Sequence, residues 1–151
     1  MKLKIWITIL ISFLLLVIAS LTFLLSMCAL EETFETNILD HNYRLFNLIN
    51  EKRGQTILSD ELNSGDWSMV CFLGPYSTDS STVLGFDWDI EKYTDVLQSD
   101  GYNVLVFVNQ GEVFDFIIQS RDKGDFSSLS QQCLNKGAVL KINQTTMNVT
   151  I

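Results

Sequence analysis

The residue types best suited to chemistry lie in the run Asp87-x-Asp89-x-Glu91, where three carboxylates alternate along the chain. Such spacing suggests a calcium loop, but an EF-hand loop needs glycine at its sixth position and glutamate at its twelfth. The chain has Lys92 and Gln98 there, so we reject that motif and predict no metal or cofactor. On a strand the three carboxylates would share one face, either as a solvated surface or as a binding surface for a cationic partner.

A catalytic centre built on the only imidazole, that of His41, has little support in the sequence. Asp40 precedes His41, and neighbouring side chains on a helix do not face each other. A Cys–His or Ser–His pair would depend on tertiary contacts, and the chain contains no phosphate-binding loop, zinc spacing or nucleophile elbow. We therefore predict no catalytic residues.

The chain has three cysteines, Cys28, Cys71 and Cys133. Cys28 ends the sequence Leu25-Ser26-Met27-Cys28, which is similar to a bacterial lipobox except that Met27 stands where a small residue is required. The other two lie in a part of the chain that we expect to be exported and oxidised. We predict a Cys71–Cys133 disulfide, with two buried free thiols as the alternative; closing a loop of about 62 residues would stabilise the fold by roughly 4 kcal/mol.

Aromatic side chains are concentrated in the middle of the chain, and most of them are expected in the core. The members of this group are Trp67, Phe72, Tyr76, Trp88 and Tyr93. Tyr76 directly follows the turn sequence Gly74-Pro75, where a ring is often exposed. Exposed tyrosines in loops commonly anchor interfaces, so Tyr76 is a candidate binding residue.

The stretch from Ile5 to Leu30 contains no charged side chain. It exceeds the roughly 20 apolar residues that are needed to cross a bilayer core of about 30 Å. Lysines precede this stretch and glutamates follow it, which predicts a cytoplasmic N-terminus and a periplasmic or extracellular C-terminal domain. We therefore expect a single-pass protein of the cytoplasmic membrane, which contacts the membrane through residues 5–27.

Two alternatives to this anchor remain open. A cleavable signal peptide has an apolar core of about 7–15 residues and a small-residue cleavage site. Here the core is longer and no A-x-A-like site follows it, so an uncleaved signal-anchor is favoured. Lipidation of Cys28 is the second alternative.

The remainder of the chain is strongly acidic. All 18 acidic residues follow the apolar stretch, with eight of the ten basic ones, which gives this part a formal charge of −10. Such a surface repels phosphate backbones and anionic headgroups, so we predict no nucleic-acid partner and no peripheral membrane patch. A cationic protein partner is compatible with this charge.

Periodicity predicts the elements that would position these residues. Apolar spacing favours a helix from Ile38 to about Arg53, followed by Gly54, and a buried strand over Trp67–Leu73. The run Leu84–Glu91 alternates, although helical spacing also fits. We predict a strand to about Ile90 with Phe86 and Trp88 inward, followed by a short helix or irregular turn to Ser99. Further along the chain we predict a hairpin of Tyr102–Asn109 with Glu112–Gln119 and a helix over Phe126–Asn135. A strand is predicted over Ala138–Ile142, and an edge strand over Met147–Ile151.

A helix followed mostly by strands with short connections predicts an α+β fold. We expect an N-terminal transmembrane helix and then one small domain, with a helix packed on a mostly antiparallel sheet of about five strands. The predicted organisation is a signal-anchor over 1–30, an acidic stem over 31–36 and an exported domain over 37–151.

This pattern favours a membrane-tethered binding or accessory domain over an enzyme. One concrete form is an inhibitor or immunity-type protein that neutralises a cationic effector in the cell envelope. The alternatives are a small envelope hydrolase that uses carboxylates and a structural subunit of a membrane complex. A cavity joining two carboxylates of raised pKa would favour the hydrolase. A flat acidic patch ringed by aromatic side chains would favour the binding domain.

Overall fold

The computed structural model describes residues 16–22, 42–77 and 79–151. The chain divides into two compact units, Met1–Leu39 and Asp40–Ile151. In the first unit residues 16–22 are helical. No helix within the three described ranges is long and apolar enough to cross a membrane. Most of the apolar stretch, including Cys28, lies outside the described residues, as do the stem over 31–36 and His41.

The second unit is an α+β fold with antiparallel sheets, as the sequence predicts. Its elements are α1 (42–51), β1 (Thr56–Leu58), β2 (Met69–Leu73), α2 (Ser80–Leu84), β3 (Tyr102–Asn109), β4 (Glu112–Ser120), β5 (Gln132–Asn135), β6 (Val139–Ile142) and β7 (Val149–Thr150). The expected sheet of about five strands is wrong in its count, because seven short strands form two sheets. One sheet has the order β1-β6-β7, and the other has the order β4-β3-β2-β5.

The two central strands of the larger sheet are buried on both faces. Residues 70–73 of β2 and residues 103–108 of β3 are all buried. This explains why both strands are apolar on both faces in the sequence. The predicted β3–β4 hairpin is confirmed, with Tyr102 opposite Ser120 and Asn109 opposite Glu112.

One face of the larger sheet packs against α1 and the smaller sheet. Leu45 and Ile49 of α1 are buried there, as the helical spacing predicts. Trp67 and Phe126 fill this layer with an edge-on contact to Phe107 and a stacked contact to Phe72 respectively. Beyond α1, Gly54 takes a φ of +73° and its N–H donates to a carbonyl of β6.

The other face of the larger sheet is covered by residues 80–98. This segment contains α2 and two short 3-10 turns, Ile90–Lys92 and Val96–Gln98. Leu84, Ile90 and Leu97 from it are buried against the sheet. The layer is thin and irregular, so side chains along its border remain partly exposed.

The predicted strand over Leu84–Glu91 is wrong. Asp79 caps α2 through the Thr82 N–H at 3.0 Å, and Gly85 ends the helix in the left-handed region. The Ser80 hydroxyl then donates to the Trp88 carbonyl and accepts from the Ile90 N–H. Because this side chain satisfies the backbone, the segment folds back on itself and covers the sheet face instead of pairing at its edge.

The predicted helix over Phe126–Asn135 is also wrong. A short 3-10 turn at Ser127–Leu129 is followed by β5, which pairs antiparallel with β2. The second edge of β2 needs hydrogen-bond partners, and β5 supplies them. This long-range pairing overrides the local helical spacing.

Candidate functional site

Two adjoining surface cavities mark the border between the irregular layer and β4. The first, here called the acidic cavity, has a volume of about 280 Å³. Its charged and aromatic lining consists of Asp79, Asp87, Asp89, Glu91, Lys92 and Trp88. The second, here called the aromatic cavity, has a volume of about 360 Å³ and is lined by Trp88, Tyr93, Val113, Phe114, Asp115 and Phe116. Both cavities include Trp88, and together they are here called the groove.

The groove continues to the tip of the β3–β4 hairpin. A third cavity of about 460 Å³ there includes Glu112 and shares Val113 and Phe114 with the aromatic cavity. The register of the hairpin shifts between Phe107 and Val108, so that Phe114 is the extra residue of a β-bulge. Phe114 is 48% exposed, and a Cβ added at Gly65 would lie 2.1 Å from its ring. The missing side chain at Gly65 therefore makes room for the ring that the aromatic cavity and the third cavity share.

Three aromatic rings form the floor of the aromatic cavity. The Trp88 and Tyr93 rings stack with centroids 5.4 Å apart and planes 19° apart. Phe116 is tilted against both, with its centroid 5.9 Å from that of Trp88 and 5.7 Å from that of Tyr93. Tyr93 is 53% exposed, and Trp88 and Phe116 are half-buried. These rings thus present an apolar surface to solvent next to the carboxylates.

The carboxylates of the acidic cavity differ in how they are used. Asp79 accepts hydrogen bonds from the Thr82 and Ser81 hydroxyls and from the Thr82 N–H, which together lower the pKa of its carboxyl. Asp89 caps the 3-10 turn by accepting from the Glu91 N–H at 2.9 Å. Asp87 and Glu91 are exposed and make no hydrogen bond or ion pair with any described residue. Their charges are therefore available to a partner.

The structure brings three of the four predicted binding residues together. Asp87, Asp89 and Glu91 line one cavity, although on a loop and a 3-10 turn instead of a strand. Tyr76 is 64% exposed, as expected for its turn, but it lines none of the three cavities that form the groove. It adopts a φ of +60°, held by the hydrogen bond from its N–H to the Leu97 carbonyl. The binding role of all four residues stays a prediction.

The predicted disulfide is present. Cys71 of β2 and Cys133 of β5 lie directly opposite each other, with their Cα atoms 4.0 Å apart. The bond joins a central strand to an edge strand on the sheet face that the groove-bearing segment covers. It stabilises the support of the groove and takes no part in its surface.

A second polar cluster lies where the chain leaves β4. The Arg121 guanidinium donates to both carboxylate oxygens of Asp125, at 3.1 and 3.0 Å, and to the Asp100 carbonyl. Ser127 adds a backbone N–H and a hydroxyl to the same carboxylate. Burial alone would raise the pKa of Asp125, but these hydrogen bonds outweigh it and lower that pKa to about 2. The backbone of Asp125 bonds to Met147 and Val149, so the cluster ties the two sheets together.

Neither cluster has the features of a hydrolytic centre. Asp79 and Asp125 both have lowered pKa values, whereas a general acid needs a raised one. Within the described ranges, no three His, Cys, Asp or Glu side chains come together so that they could hold a metal ion. The groove combines an apolar floor with the carboxylates of Asp87 and Glu91, which no described residue engages.

Sequence reasoning identified the carboxylates but missed the aromatic half of the groove. It placed Trp88 in the core and gave no surface role to Tyr93 or Phe116. Tyr93 and Phe116 come together only because the segment after α2 lies across the sheet face as far as β4. The available signal was the flanking of Trp88 by Asp87 and Asp89, which makes deep burial of that segment costly.

Comparison with known proteins gives no match. No protein-family model matches the sequence, no curated protein is detectably similar to it, and no solved structure matches its fold. The function is therefore inferred from the groove.

Proposed function

We propose that this protein is a membrane-tethered binding or accessory domain, which captures a cationic protein partner in the groove. The apolar stretch from Ile5 to Leu30 serves as an uncleaved signal-anchor, and the acidic domain lies outside the cytoplasm. An inhibitor or immunity-type protein, which neutralises a cationic effector in the cell envelope, is the concrete form of this proposal.

One observation carries the proposal: exposed aromatic rings and uncommitted carboxylates share a single groove. Interfaces are enriched in aromatic side chains, and their strongest contributions come from rings seated in cavities. Carboxylates around such rings accelerate association with a cationic partner and disfavour anionic ones. The formal charge of −10 on the residues after the anchor acts in the same direction at longer range.

The alternative of a carboxylate-based hydrolase has less support. It requires one carboxyl that stays protonated near neutral pH, close to a second carboxylate in a cavity. The carboxyls whose pKa values shift, those of Asp79 and Asp125, hold their protons less firmly than usual. Asp125 is moreover engaged with Arg121, so its free lone pairs are few.

The test begins with an affinity pulldown from detergent-solubilised membranes, with the full chain as bait and mass spectrometry as readout. The association rate of the captured partner is then compared for the native chain and for the variant Asp87→Asn, Asp89→Asn, Glu91→Gln. Asparagine retains the capping ability of Asp89, so this variant removes charge and preserves the fold. We expect association to slow by roughly tenfold at low salt and its salt dependence to weaken.

The matched control carries Glu51→Gln, Asp60→Asn and Asp100→Asn, which removes the same charge from exposed positions outside the groove. It should alter association far less, because steering depends on charge near the contact surface. Equal on-rates and equal salt slopes for the native chain and the groove variant would refute the proposal.

A further inference from the structure

We infer that the aromatic cavity is an anchor site for an arginine side chain of the partner. This inference rests on the proposed function and names the group that the groove recognises. It follows from the ring geometry, from the absence of a cation over the rings among the described residues, and from the position of the carboxylates that no described residue engages.

The ring geometry favours a flat ligand that lies on the outer surface. Trp88 and Tyr93 stack on each other, and Phe116 is tilted against both, so the three rings leave no gap for a fourth group between them. Their outward faces border a cavity of about 360 Å³. An aromatic face carries negative charge density and attracts a cation within about 6 Å of the ring centroid.

In the described part of the chain, a cation lies over the Trp67 ring but not over the Trp88 ring. Lys136 places its Nζ 4.8 Å from the centroid of the Trp67 ring and is held there by a 2.9 Å hydrogen bond to the Gly65 carbonyl. No described cation lies over Trp88. Arg121 is engaged with Asp125, so this guanidinium does not reach the groove.

Carboxylates stand beside the open rings. Asp87 and Asp89 flank Trp88 in the chain, and all three line the acidic cavity. Asp87 makes no contact with a described partner, whereas Asp89 uses one oxygen to cap the Glu91 N–H. Asp87, whose carboxylate no described residue engages, is thus the chain neighbour of a residue whose ring forms part of the aromatic floor.

Arginine fits this combination better than lysine. A guanidinium is planar and weakly hydrated, so it stacks on a ring and still directs N–H donors in its plane toward a carboxylate. An ammonium is compact and strongly hydrated, so it would remain near Asp87 and gain little from the rings. The groove is thus expected to discriminate between the two cations.

The experiment uses the isotope-labelled full chain in neutral detergent micelles and short Gly/Ser peptides with one central residue. That residue is arginine, lysine or citrulline, the uncharged analogue of arginine. Binding is followed through the NMR signal of the Trp88 indole N–H, which is assigned with Trp88→Phe. We expect the arginine peptide to shift this signal, with affinity roughly threefold to thirtyfold above that of the citrulline peptide and clearly above that of the lysine peptide.

Two variants distinguish ring stacking from simple charge attraction. Tyr93→Leu should weaken arginine binding roughly threefold or more, whereas Tyr93→Phe, which keeps the ring, should retain it. Tyr43→Leu removes an equally exposed tyrosine from α1 and should have no effect. Equal binding of the arginine and citrulline peptides, or full binding by Tyr93→Leu, would overturn the inference.

The result remains separable from the proposed function. If removing the groove charges slows partner association while Tyr93→Leu does not weaken it, the binding domain stands and the arginine anchor is rejected. If the arginine peptide binds but the pulldown partner is insensitive to the groove charges, the proposed function fails instead.

Discussion

The acidic side chains of this domain differ in whether the fold engages them. The Asp125 carboxylate accepts from one guanidinium, one backbone N–H and one hydroxyl, and it is a fixed structural link. Asp87 and Glu91, without a described partner, have no such structural task. The acidic residues that we propose for binding are therefore those that the fold does not engage.

The Asp125 link predicts a specific loss of stability in acid. Its folded-state pKa of about 2 lies below the ordinary aspartate value of 3.8, so its contribution is complete above about pH 4 and is lost as pH falls toward 2. The shift corresponds to about 2 kcal/mol at neutral pH. Asp125→Asn should therefore lower the free energy of unfolding by about that amount at pH 7, with a difference from the native chain that shrinks between pH 4 and pH 2.

Denaturant unfolding of the full chain at pH 7, 4 and 2.5 measures this effect. Asp60→Asn, at an exposed position, serves as the control and should follow the native curve at each pH. A constant difference between Asp125→Asn and the native chain across these pH values would contradict the assignment.

At the scale of elements, β4 is an edge strand that the fold protects from pairing with other chains. The bulge at Phe114 distorts its ladder, and the Asp115 carboxylate accepts the Phe116 N–H at 2.8 Å. Both features block the addition of another strand at this position. We therefore expect a partner in the groove to be recognised through side chains and not through an extended backbone ladder.

The connection after β4 depends on a glycine beneath α1. Gly124 is buried with a φ of +156°, and an added Cβ would lie 2.3 Å from the Ile49 Cδ1 atom. Gly124→Ala should destabilise the domain by about 1–3 kcal/mol, because the new methyl group strains the backbone and displaces Ile49. Thermal or denaturant unfolding of the full chain measures the loss.

Gly101→Ala provides the matched comparison. Gly101 does not lie in the left-handed region, and the nearest atom to an added Cβ is the Ser99 Oγ at 3.8 Å. Its effect should stay within about 0.5 kcal/mol. Equal costs at the two glycines would mean that the packing beneath α1 is looser than described.

At the scale of the whole molecule, the sequence predicts which side of the membrane carries the acidic domain. Lys2 and Lys4 precede the apolar stretch, and every acidic residue follows it. We expect alkaline phosphatase fused after Ile151 to be active in a bacterial host and green fluorescent protein fused at the same position to be dark. A full-length band of about 17.2 kDa in the membrane fraction would agree with an uncleaved anchor.

The reverse fusion pattern, with dark phosphatase colonies and bright fluorescence, would place the domain in the cytoplasm and contradict this topology. A shortened band without a lipid would favour a cleavable signal peptide, and a lipid-modified peptide that begins at Cys28 would favour the lipoprotein alternative. Each outcome selects one of the three interpretations of the apolar stretch.

The sequence by itself determined the features that depend on local periodicity. The buried face of α1, the buried strand β2 and the β3–β4 hairpin follow from the spacing of apolar residues, because each element must bury one or both of its faces. The disulfide was also predictable, since two cysteines follow the apolar stretch in a part of the chain that we expect to be exported. Together these features define an α+β domain without specifying the order of its strands.

Only the tertiary structure decided which segments pair and which cover a face. Residues 132–135 have helical spacing nearby, yet they pair with β2, whose backbone needs partners on both edges. The apolar and polar residues that alternate over Leu84–Glu91 indicate one side that faces the core and one that faces water. A loop that lies on a sheet fits that pattern as well as a strand does. The Ser80 hydroxyl, which donates to the Trp88 carbonyl and accepts from the Ile90 N–H, stabilises the loop instead of a strand. The aromatic cavity depends on that choice, because contacts between residues distant in the chain leave no local pattern.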